Sequence, residues 1–246
     1  MSKKISATLI THNEEENIER CLKSLHWVDE IVVIDSYSQD STIEICKKYN
    51  CNVVQTKWLG FGKTKQLAVD HAVNEWVLSI DSDEEVSELL AKRIKNILID
   101  PNNEGYKIKR NSFYLGKEIK HCGWNNDYPI RLFNKNYGRF NEKEVHESVL
   151  INGTKGTIEE PIFHYTYPTI SKHISKINRY TDLALKESSQ EKKYSIFTSI
   201  ILGFIKFFKM YFLQKGFLDG KAGFILSLNS AFGAYLKYIK MWKLES

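Results

Sequence analysis

Short apolar runs alternate with segments of helical periodicity over the first hundred residues. The apolar runs predict four strands, at residues 5–10, 30–35, 52–55 and 76–80. Apolar positions recur at helical spacing in four further segments, which predict helices at residues 14–25, 41–49, 63–73 and 85–99. Asn13 is a plausible cap for the first helix. Strands and helices that alternate in this way predict an α/β fold with a mainly parallel central sheet flanked by helices.

The pattern changes after residue 105. Strand-like pieces at 106–109, 130–133, 145–150 and 157–164 are separated by turn-rich segments, and residues 170–186 return to a helical pattern. We interpret this part as a mixed β region that completes the same domain. The sequence therefore predicts one α/β domain over residues 1–190.

Residues 190–246 differ from the rest in charge and in aromatic content. They hold nine lysines, no arginine and three acids, so the chain's net charge of +5 is concentrated here. Thirteen of the 31 aromatic residues follow position 193. The composition predicts a second region, 191–246, as a basic aromatic helical tail that lies on an anionic membrane surface. Packing on the domain or in a dimer interface is the alternative. Charge-free stretches of 12 and 15 residues are too short to span a bilayer.

Polar residues follow three of the predicted strands, where an α/β sheet binds its ligand. Asp81 and Asp83 follow the fourth strand and are spaced to hold a hard divalent cation, although Asp83 could instead cap the next helix. Asp35 ends the second strand and could accept hydrogen bonds from a ribose or a base, unless it only shapes a loop. The sequence contains neither GxGxxG nor GxxxxGK[ST], which disfavours dinucleotide-binding dehydrogenases and P-loop NTPases.

Other features of the sequence bear on location and partners. The four cysteines form no CxxC pair, so we expect a reducing compartment with neither a disulfide scaffold nor a cysteine zinc site. The apolar run after Met1 is too short for a secretion signal, and we expect a cytoplasmic protein. The basic tail is rich in phenylalanine and lacks arginine, which argues against nucleic acid as a partner.

Several ordered motifs together resemble a known family. LITHNEEENIERCLKSL, EIVVIDSYSQDST, GFGKTKQLAVDHA and EWVLSIDSDEE are similar to the catalytic domain of glycosyltransferase family 2, which has the GT-A fold. The later pieces RLFNK, GRFN, VHE, FHYTY, KINRY and GFLDGKAG resemble the bacterial branch that adds glucose or a related sugar to the lipopolysaccharide inner core. The resemblance covers nearly the whole chain.

The resemblance implies a binding role for residues at several positions. Those expected to contact the nucleotide-diphosphate sugar donor are Thr11, Asn13, Glu14, Asp35, Lys65, Asp81 and Arg131, with Arg139 as a further candidate for phosphate contact. For the two arginines the alternative is surface or structural ion pairing. Asp83 and His164 are expected to hold a divalent metal, Mg or Mn, with Asp81 in support. For His164 the alternative is a hydrogen-bonded core residue.

The resemblance also implies an inverting displacement assisted by a general base. Glu147 is the first choice for the base and Asp127 the second. Many relatives carry a Glu-Asp pair where this chain has His-Glu, and this departure leaves the choice between the two acids open. His146 is expected to orient the base or bind the acceptor. The expected acceptor is a lipid-anchored saccharide at the inner face of a membrane, and the enzyme would be peripheral to the inner membrane. Transfer to a polyprenyl phosphate and an inactive scaffold that binds nucleotide sugars are the alternatives.

Overall fold

A computed structural model describes residues 2–141, 147–187 and 195–243. It divides the chain into two compact units. The sheet unit comprises residues 1–110 and 127–164, and the helical unit comprises residues 111–126 and 165–246. The boundary predicted near residue 190 falls within 188–194, which lie outside the described residues, so the predicted division at that point stays a prediction.

Eleven strands occur in the described residues. They are β1 Ile5–Thr11, β2 Glu30–Asp35, β3 Asn52–Gln55, β4 Trp76–Ser79, β5 Glu84–Val86, β6 Gly105–Tyr114, β7 Lys117–Glu118, β8 Ile130–Asn134, β9 Gly138–Phe140, β10 Val149–Ile151 and β11 Lys155–Tyr167. The α-helices are α1 Ile18–Lys23, α2 Thr42–Lys48, α3 Phe61–His71, α4 Glu88–Ile97, α5 Ile170–Glu187, α6 Ile196–Phe208 and α7 Gly220–Lys243. A π-helical turn, Lys209–Leu213, continues α6, and a 3-10 turn, Gly216–Asp219, precedes α7.

The main sheet has two halves that differ in strand direction. Its order is β3-β2-β1-β4-β8-β6-β11-β5, with β7 paired to β6. The first four strands are parallel, whereas β8 is antiparallel to both β4 and β6, and β5 is antiparallel to β11. Strands β9 and β10 form a separate antiparallel pair. The α/β fold expected from the sequence is confirmed, and a helical C-terminal segment is present.

Side chains of the central strands alternate between two apolar clusters. Trp76 and Leu78 of β4 join the cluster that contains residues of α1 and α4, while Val77 joins the cluster that contains Val69 and Ala72 of α3 and its end. Successive residues of a strand point to opposite faces of a sheet. Helices therefore cover both faces, as the nearly continuous apolar runs of these strands require.

Two predicted helix starts are wrong. The first helix begins at Ile18 and not at residue 14, because Asn13 has a left-handed φ of 55° and Glu14 donates its backbone N–H to Thr42 Oγ1 at 2.8 Å. Residues 13 and 14 are thus part of a loop, and Asn17 occupies the cap position in place of Asn13.

The fourth helix begins at Glu88 and not at residue 85. The preceding residues pair as β5 with β11, and Ser87 caps the helix by accepting the Leu90 N–H at 3.2 Å. The interpretation of Asp83 as the helix cap is therefore wrong.

The helical unit contains α5, α6 and α7, and its helices approach closely at glycines. A Cβ atom on Gly203 of α6 would lie 3.1 Å from the Ala231 carbonyl oxygen and 3.2 Å from Tyr235 Cβ, both on α7. A Cβ atom on Gly223 would lie 2.0 Å from the Gly216 carbonyl oxygen. These glycines allow backbone contacts that any side chain would block.

Candidate functional site

Two loops meet at the carboxyl ends of β1 and β2. The Asn13 backbone N–H donates to Ser38 Oγ at 2.9 Å, and Asn13 Oδ1 accepts the Gln39 N–H at 2.8 Å. The bond from Glu14 to Thr42 adds a third tie between the same loops. Asn13 is exposed and Glu14 is half-buried. The loops therefore form one connected rim, and Asn13 is the predicted donor contact that this rim presents to solvent.

Asp35 lies beneath this rim and is fully buried. Its carboxylate accepts hydrogen bonds from Thr11 Oγ1 at 3.1 Å, from the Ser38 N–H at 2.9 Å and Oγ at 2.5 Å, and from Gln55 Nε2 at 3.1 Å. Four donors from three loops and strands thus hold one buried carboxylate. Asp35 and Thr11 organise the rim in this structure.

Lys65 of α3 connects two of the predicted site residues. Its Nζ atom lies 2.8 Å from Asp81 Oδ1 and 2.7 Å from Glu147 Oε1, and its side chain is only 6% exposed. Asp81 follows β4 and Glu147 precedes β10, so three separate segments converge on one ammonium group. Residue 146, the predicted acceptor contact His146, lies outside the described residues.

Arg131 of β8 extends the contacts. Its Nη2 atom donates to Asp81 Oδ2 and to Glu84 Oε1, each at 2.5 Å. Arg110 of β6 then contacts Glu84 Oε1 at 3.2 Å and Asp127 Oδ2 at 2.6 Å. Arg131 thus contacts Asp81, which the sequence predicts to bind the donor sugar. Arg139 lies on β9 and is exposed.

These contacts form one chain of charges that alternate in sign. Its order is Glu147, Lys65, Asp81, Arg131, Glu84, Arg110 and Asp127. The two candidate bases occupy its two ends, and Asp81 lies between two cations. We name these seven residues the charge chain. Its four carboxylates and three cations leave a formal charge of −1.

The neighbours of Asp81 keep it ionised. Burial alone would raise the pKa of this carboxyl, but Arg131 and Lys65 hold that pKa well below its ordinary value. Burial likewise opposes the charge of Lys65, yet Asp81 raises the Lys65 pKa above its ordinary value. Asp81 is consequently unsuited to accept a proton, and both of its carboxylate oxygens are bonded to cations.

Asp83 and His164 form a pair that suits a divalent cation. The β5–β11 register places His164 opposite Glu84, next to Asp83, and His164 Nε2 lies 3.3 Å from Asp83 Oδ2. A carboxylate oxygen and an imidazole nitrogen fit Mn²⁺ well, whereas Mg²⁺ prefers oxygen ligands alone. No group of three His, Cys, Asp or Glu side chains that could hold a metal occurs in the described part of the chain.

The interpretation of the sequence missed Glu84 and Arg110. Glu84 is fully buried, contacts both arginines through Oε1 and accepts the Asp81 backbone N–H through Oε2 at 3.0 Å. Glu84 therefore holds both the Asp81 backbone and Arg131, the arginine that contacts the Asp81 carboxylate. The available signal in the sequence was its position directly after Asp-Ser-Asp. Glu84 is the first residue of β5 and is buried, and a buried acid needs a cationic partner.

A family model and several known proteins are similar to this chain. The family model "Glycosyl transferase family 2" matches residues 6–161. An uncharacterized glycosyltransferase of Rickettsia typhi is 32% identical, and the match covers 99% of this chain and 88% of that protein. The lipopolysaccharide core biosynthesis glycosyltransferase LpsC of Rhizobium meliloti is 25% identical over 97% of this chain and 92% of its own length.

One solved structure supports the fold. The crystal structure of S. aureus TarS 1-349 in complex with UDP-GlcNAc has a TM-score of 0.51 and 16% identity, covering 98% of this chain and 91% of that chain. The GT-A fold expected from the sequence is confirmed, as is the similarity to lipopolysaccharide core biosynthesis proteins.

Proposed function

Because the chain belongs to glycosyl transferase family 2, we propose that it moves a hexose, glucose first, from a nucleotide-diphosphate sugar to a lipid-linked saccharide. The lipopolysaccharide inner core is the acceptor class that we favour, and the reaction inverts the anomeric centre. The observation that carries the proposal is the charge chain, which joins the DxD carboxylate Asp81 to both candidate bases.

The donor binds at the carboxyl ends of β1, β2 and β4. Asn13 and Glu14 of the rim contact the nucleoside, and Thr11 and Asp35 hold the rim in shape through buried hydrogen bonds. Lys65 and Arg131 stand beside Asp81, where they compensate negative charge on the diphosphate as it leaves. TarS was crystallised with UDP-GlcNAc, which supports a nucleotide sugar as the donor class.

Asp83 and His164 hold the divalent cation, with Mn²⁺ favoured by the imidazole ligand. When bound, the cation would neutralise charge on the diphosphate. The two carboxylate oxygens of Asp81 form ion pairs with Lys65 and Arg131. We therefore assign Asp81 the role of positioning these cations and not that of a direct metal ligand.

Glu147 is the base that takes the acceptor hydroxyl proton. Lys65 fixes it at 2.7 Å beside the residues that receive the diphosphate, so base and leaving group are held by the same ammonium. Asp127 is the second candidate, and its Oδ2 atom is engaged by both Nε and Nη2 of Arg110. His146 is assigned to the acceptor.

LpsC supports the choice of acceptor, because that relative acts in lipopolysaccharide core biosynthesis. An acceptor of this kind is anchored in lipid. We therefore place the enzyme in the cytoplasm, peripheral to the inner face of the inner membrane.

The first experiment tests the donor and its metal. UDP-, GDP-, ADP- and CMP-sugars are screened by thermal shift with and without Mn²⁺ or Mg²⁺, since a ligand that binds only the folded chain raises Tm. We expect one nucleotide to shift Tm in a metal-dependent way in the wild type and in Asp100→Ala, an exposed control, but not in Asp83→Ala. Full metal-dependent binding by Asp83→Ala would contradict the metal site.

The second experiment separates the two bases. We expect Glu147→Gln to lower kcat by roughly a thousandfold with donor binding retained, because general base catalysis contributes about 10² to 10⁴. Asp127→Asn should lower kcat far less. The reverse order would assign the proton transfer to Asp127, and loss of turnover in neither variant would overturn both assignments.

A further inference from the structure

Bulky apolar side chains of α6 and its π-helical turn point away from the protein. Phe197 is 72% exposed and Phe204 is 69% exposed, and Ile201, Phe208 and Phe212 are also exposed. These five residues recur every three or four positions, so they lie along one side of the helix. We name them the apolar face. One stretch of this region, the 18 residues Ile196–Leu213, has a mean hydropathy of 1.7 and is 17% buried. By length and composition alone it could cross a membrane, contrary to the expectation from the charge-free stretches.

The inner side of α6 has the opposite composition. Ser199 and Gly203 are buried there, and Gly203 meets Ala231 of α7. A helix at the surface of a water-soluble protein buries its large apolar residues and exposes its polar ones. Here small residues are inside and phenylalanines are outside, which is the arrangement of helices that contact lipid.

The outer side of helix α7 is similar. Phe224, Leu228 and Phe232 are exposed at a spacing of four residues, while Leu226, Ser227 and Ala231 are buried. The stripe on α7 therefore adds aromatic surface to that of α6, within the same helical unit.

Polar contacts inside the helical unit hold these helices in place. Asn229 of α7 donates to Tyr114 Oη at 3.0 Å, and Asp219 accepts the backbone N–H groups of Lys120 and His121 at 3.1 and 2.9 Å. Lys240 donates to Asp182 Oδ1 of α5 at 2.6 Å. The orientation of α7 is thus fixed from its inner side.

The charge around the apolar face is positive. Lys206 and Lys209 of this stretch are exposed, as are Lys215 and Lys221 in the connection to α7. Asp219 is the sole acid between residues 195 and 243, and it is buried. An aromatic surface on a segment whose exposed charges are all lysines matches the headgroup layer of an anionic membrane.

We propose that α6, its π-helical turn and α7 lie in the plane of an anionic bilayer leaflet, with the apolar face inserted among the acyl chains. Spanning is disfavoured, because Lys206 and Lys209 would then lie within the hydrocarbon rather than extend to the headgroups. The inference deepens the membrane location given with the proposed function, and its own evidence is the exposure and charge of these helices. It identifies which residues contact lipid and how the helices are oriented.

The test is flotation of the full chain with sealed vesicles of phosphatidylethanolamine and phosphatidylglycerol. We expect Phe197→Ser combined with Phe204→Ser to weaken binding by roughly a hundredfold, from the apolar area lost. The matched control is Val73→Ser combined with Leu89→Ser, which changes two residues of the sheet unit that are 75% and 64% exposed. The control should bind like the wild type, and both variants should keep Tm and donor binding.

The lysines and the orientation have their own readouts. Lys206→Glu combined with Lys209→Glu should weaken binding to the anionic vesicles, and the wild type should bind neutral phosphatidylcholine vesicles more weakly.

In the in-plane arrangement, a membrane-impermeant maleimide added outside the vesicles labels Lys215→Cys. Protection of Lys215→Cys would indicate a spanning helix and overturn the proposal. Equal flotation of the phenylalanine and control variants would also overturn it, as would a dimer that is lost in the phenylalanine variant without any vesicle binding.

Discussion

The charge chain of the sheet unit and the apolar face of the helical unit each put residues in an unfavourable environment, but in opposite ways. The first buries charged side chains, and the second exposes large apolar ones. In the sheet unit, Lys65, Glu84 and Arg131 are charged groups withdrawn from water. In the helical unit, Phe197 and Phe204 are large apolar groups left in contact with water. Charged residues are rarely buried unless they are paired, and contiguous apolar surface is rarely exposed without a partner.

The difference between the two regions lies in where the compensation comes from. Within the charge chain each buried charge meets an opposite charge from the same protein, so the region is complete by itself. The side chains of the apolar face are exposed instead, and in our proposal a lipid leaflet covers them. Under the two proposals, the first region serves catalysis by fixed charges, and the second places the enzyme at a membrane.

The largest expected effect comes from breaking the charge chain at its centre. Arg131→Ala removes the cation shared by Asp81 and Glu84, and we expect it to lower the free energy of unfolding by about 3 kcal/mol or more, because unpaired buried charges remain. Activity should be lost as well. Urea unfolding measures the effect. Arg93→Ala, an exposed arginine on α4, is the control and should change stability by less than about 0.5 kcal/mol. Equal losses in the two variants would mean that Arg131 does not stabilise these carboxylates.

A smaller effect is expected where the helical unit packs its small residues. Gly203→Leu would force atoms into the Ala231 carbonyl and the Tyr235 side chain, and we expect a loss of about 1–3 kcal/mol from overpacking. Ile200→Leu, on the exposed side of the same helix, should be nearly neutral. Thermal unfolding in detergent-free buffer distinguishes them. A neutral Gly203→Leu would show that α6 and α7 do not pack closely there.

The smallest expected effect is a response to pH that separates the two units. Burial, with a contribution from Lys176, lowers the pKa of His173 to about 4 from its ordinary 6.5. The unfolded chain therefore binds the proton first, and the stability that neutral His173 contributes is present above pH 6.5 and is lost as the pH falls toward 4. Asp81 stays ionised over this range because its pKa lies well below the ordinary value.

Amide hydrogen exchange at about pH 7 and about pH 5 measures this difference. We expect α5 and α7 to lose protection relative to β1 and β4 on acidification, and His173→Gln to reduce that loss. His26→Gln, which changes an exposed histidine, should not. An equal loss of protection in both units of the wild type would contradict the separate pH responses.

The strands of the parallel half could be predicted because each is a short apolar run that must be buried. The residues predicted for β2 and β3 are those of the structure. The start of α1 could not be predicted, since Asn13 adopts its left-handed conformation through bonds to Ser38 and Gln39, which lie about 25 residues away. Local periodicity contains no information on such a partner.

The candidate site shows the same limit. Asp81 and Lys65 were named from motifs, and the structure brings them within 2.8 Å. Glu84 and Arg110 were not named, because the reason for their burial is the antiparallel pairing of β5 with β11 and of β6 with β8. The apolar face was predicted only as a basic aromatic tail. Its orientation depends on the inward contacts of Asn229 and Asp219, which come from residues 114–121.

Residues 111–126 belong to the helical unit yet lie in sequence between the two segments of the sheet unit. During synthesis, the sheet unit cannot be completed until residue 164 has left the ribosome, and this inserted segment then still awaits its partners from 165 onward. Neither unit is therefore one continuous segment that truncation could remove, or gene fusion could transfer, without cutting the other unit. Because the chain passes from the sheet unit to the helical unit and back, changes in one unit constrain changes in the other.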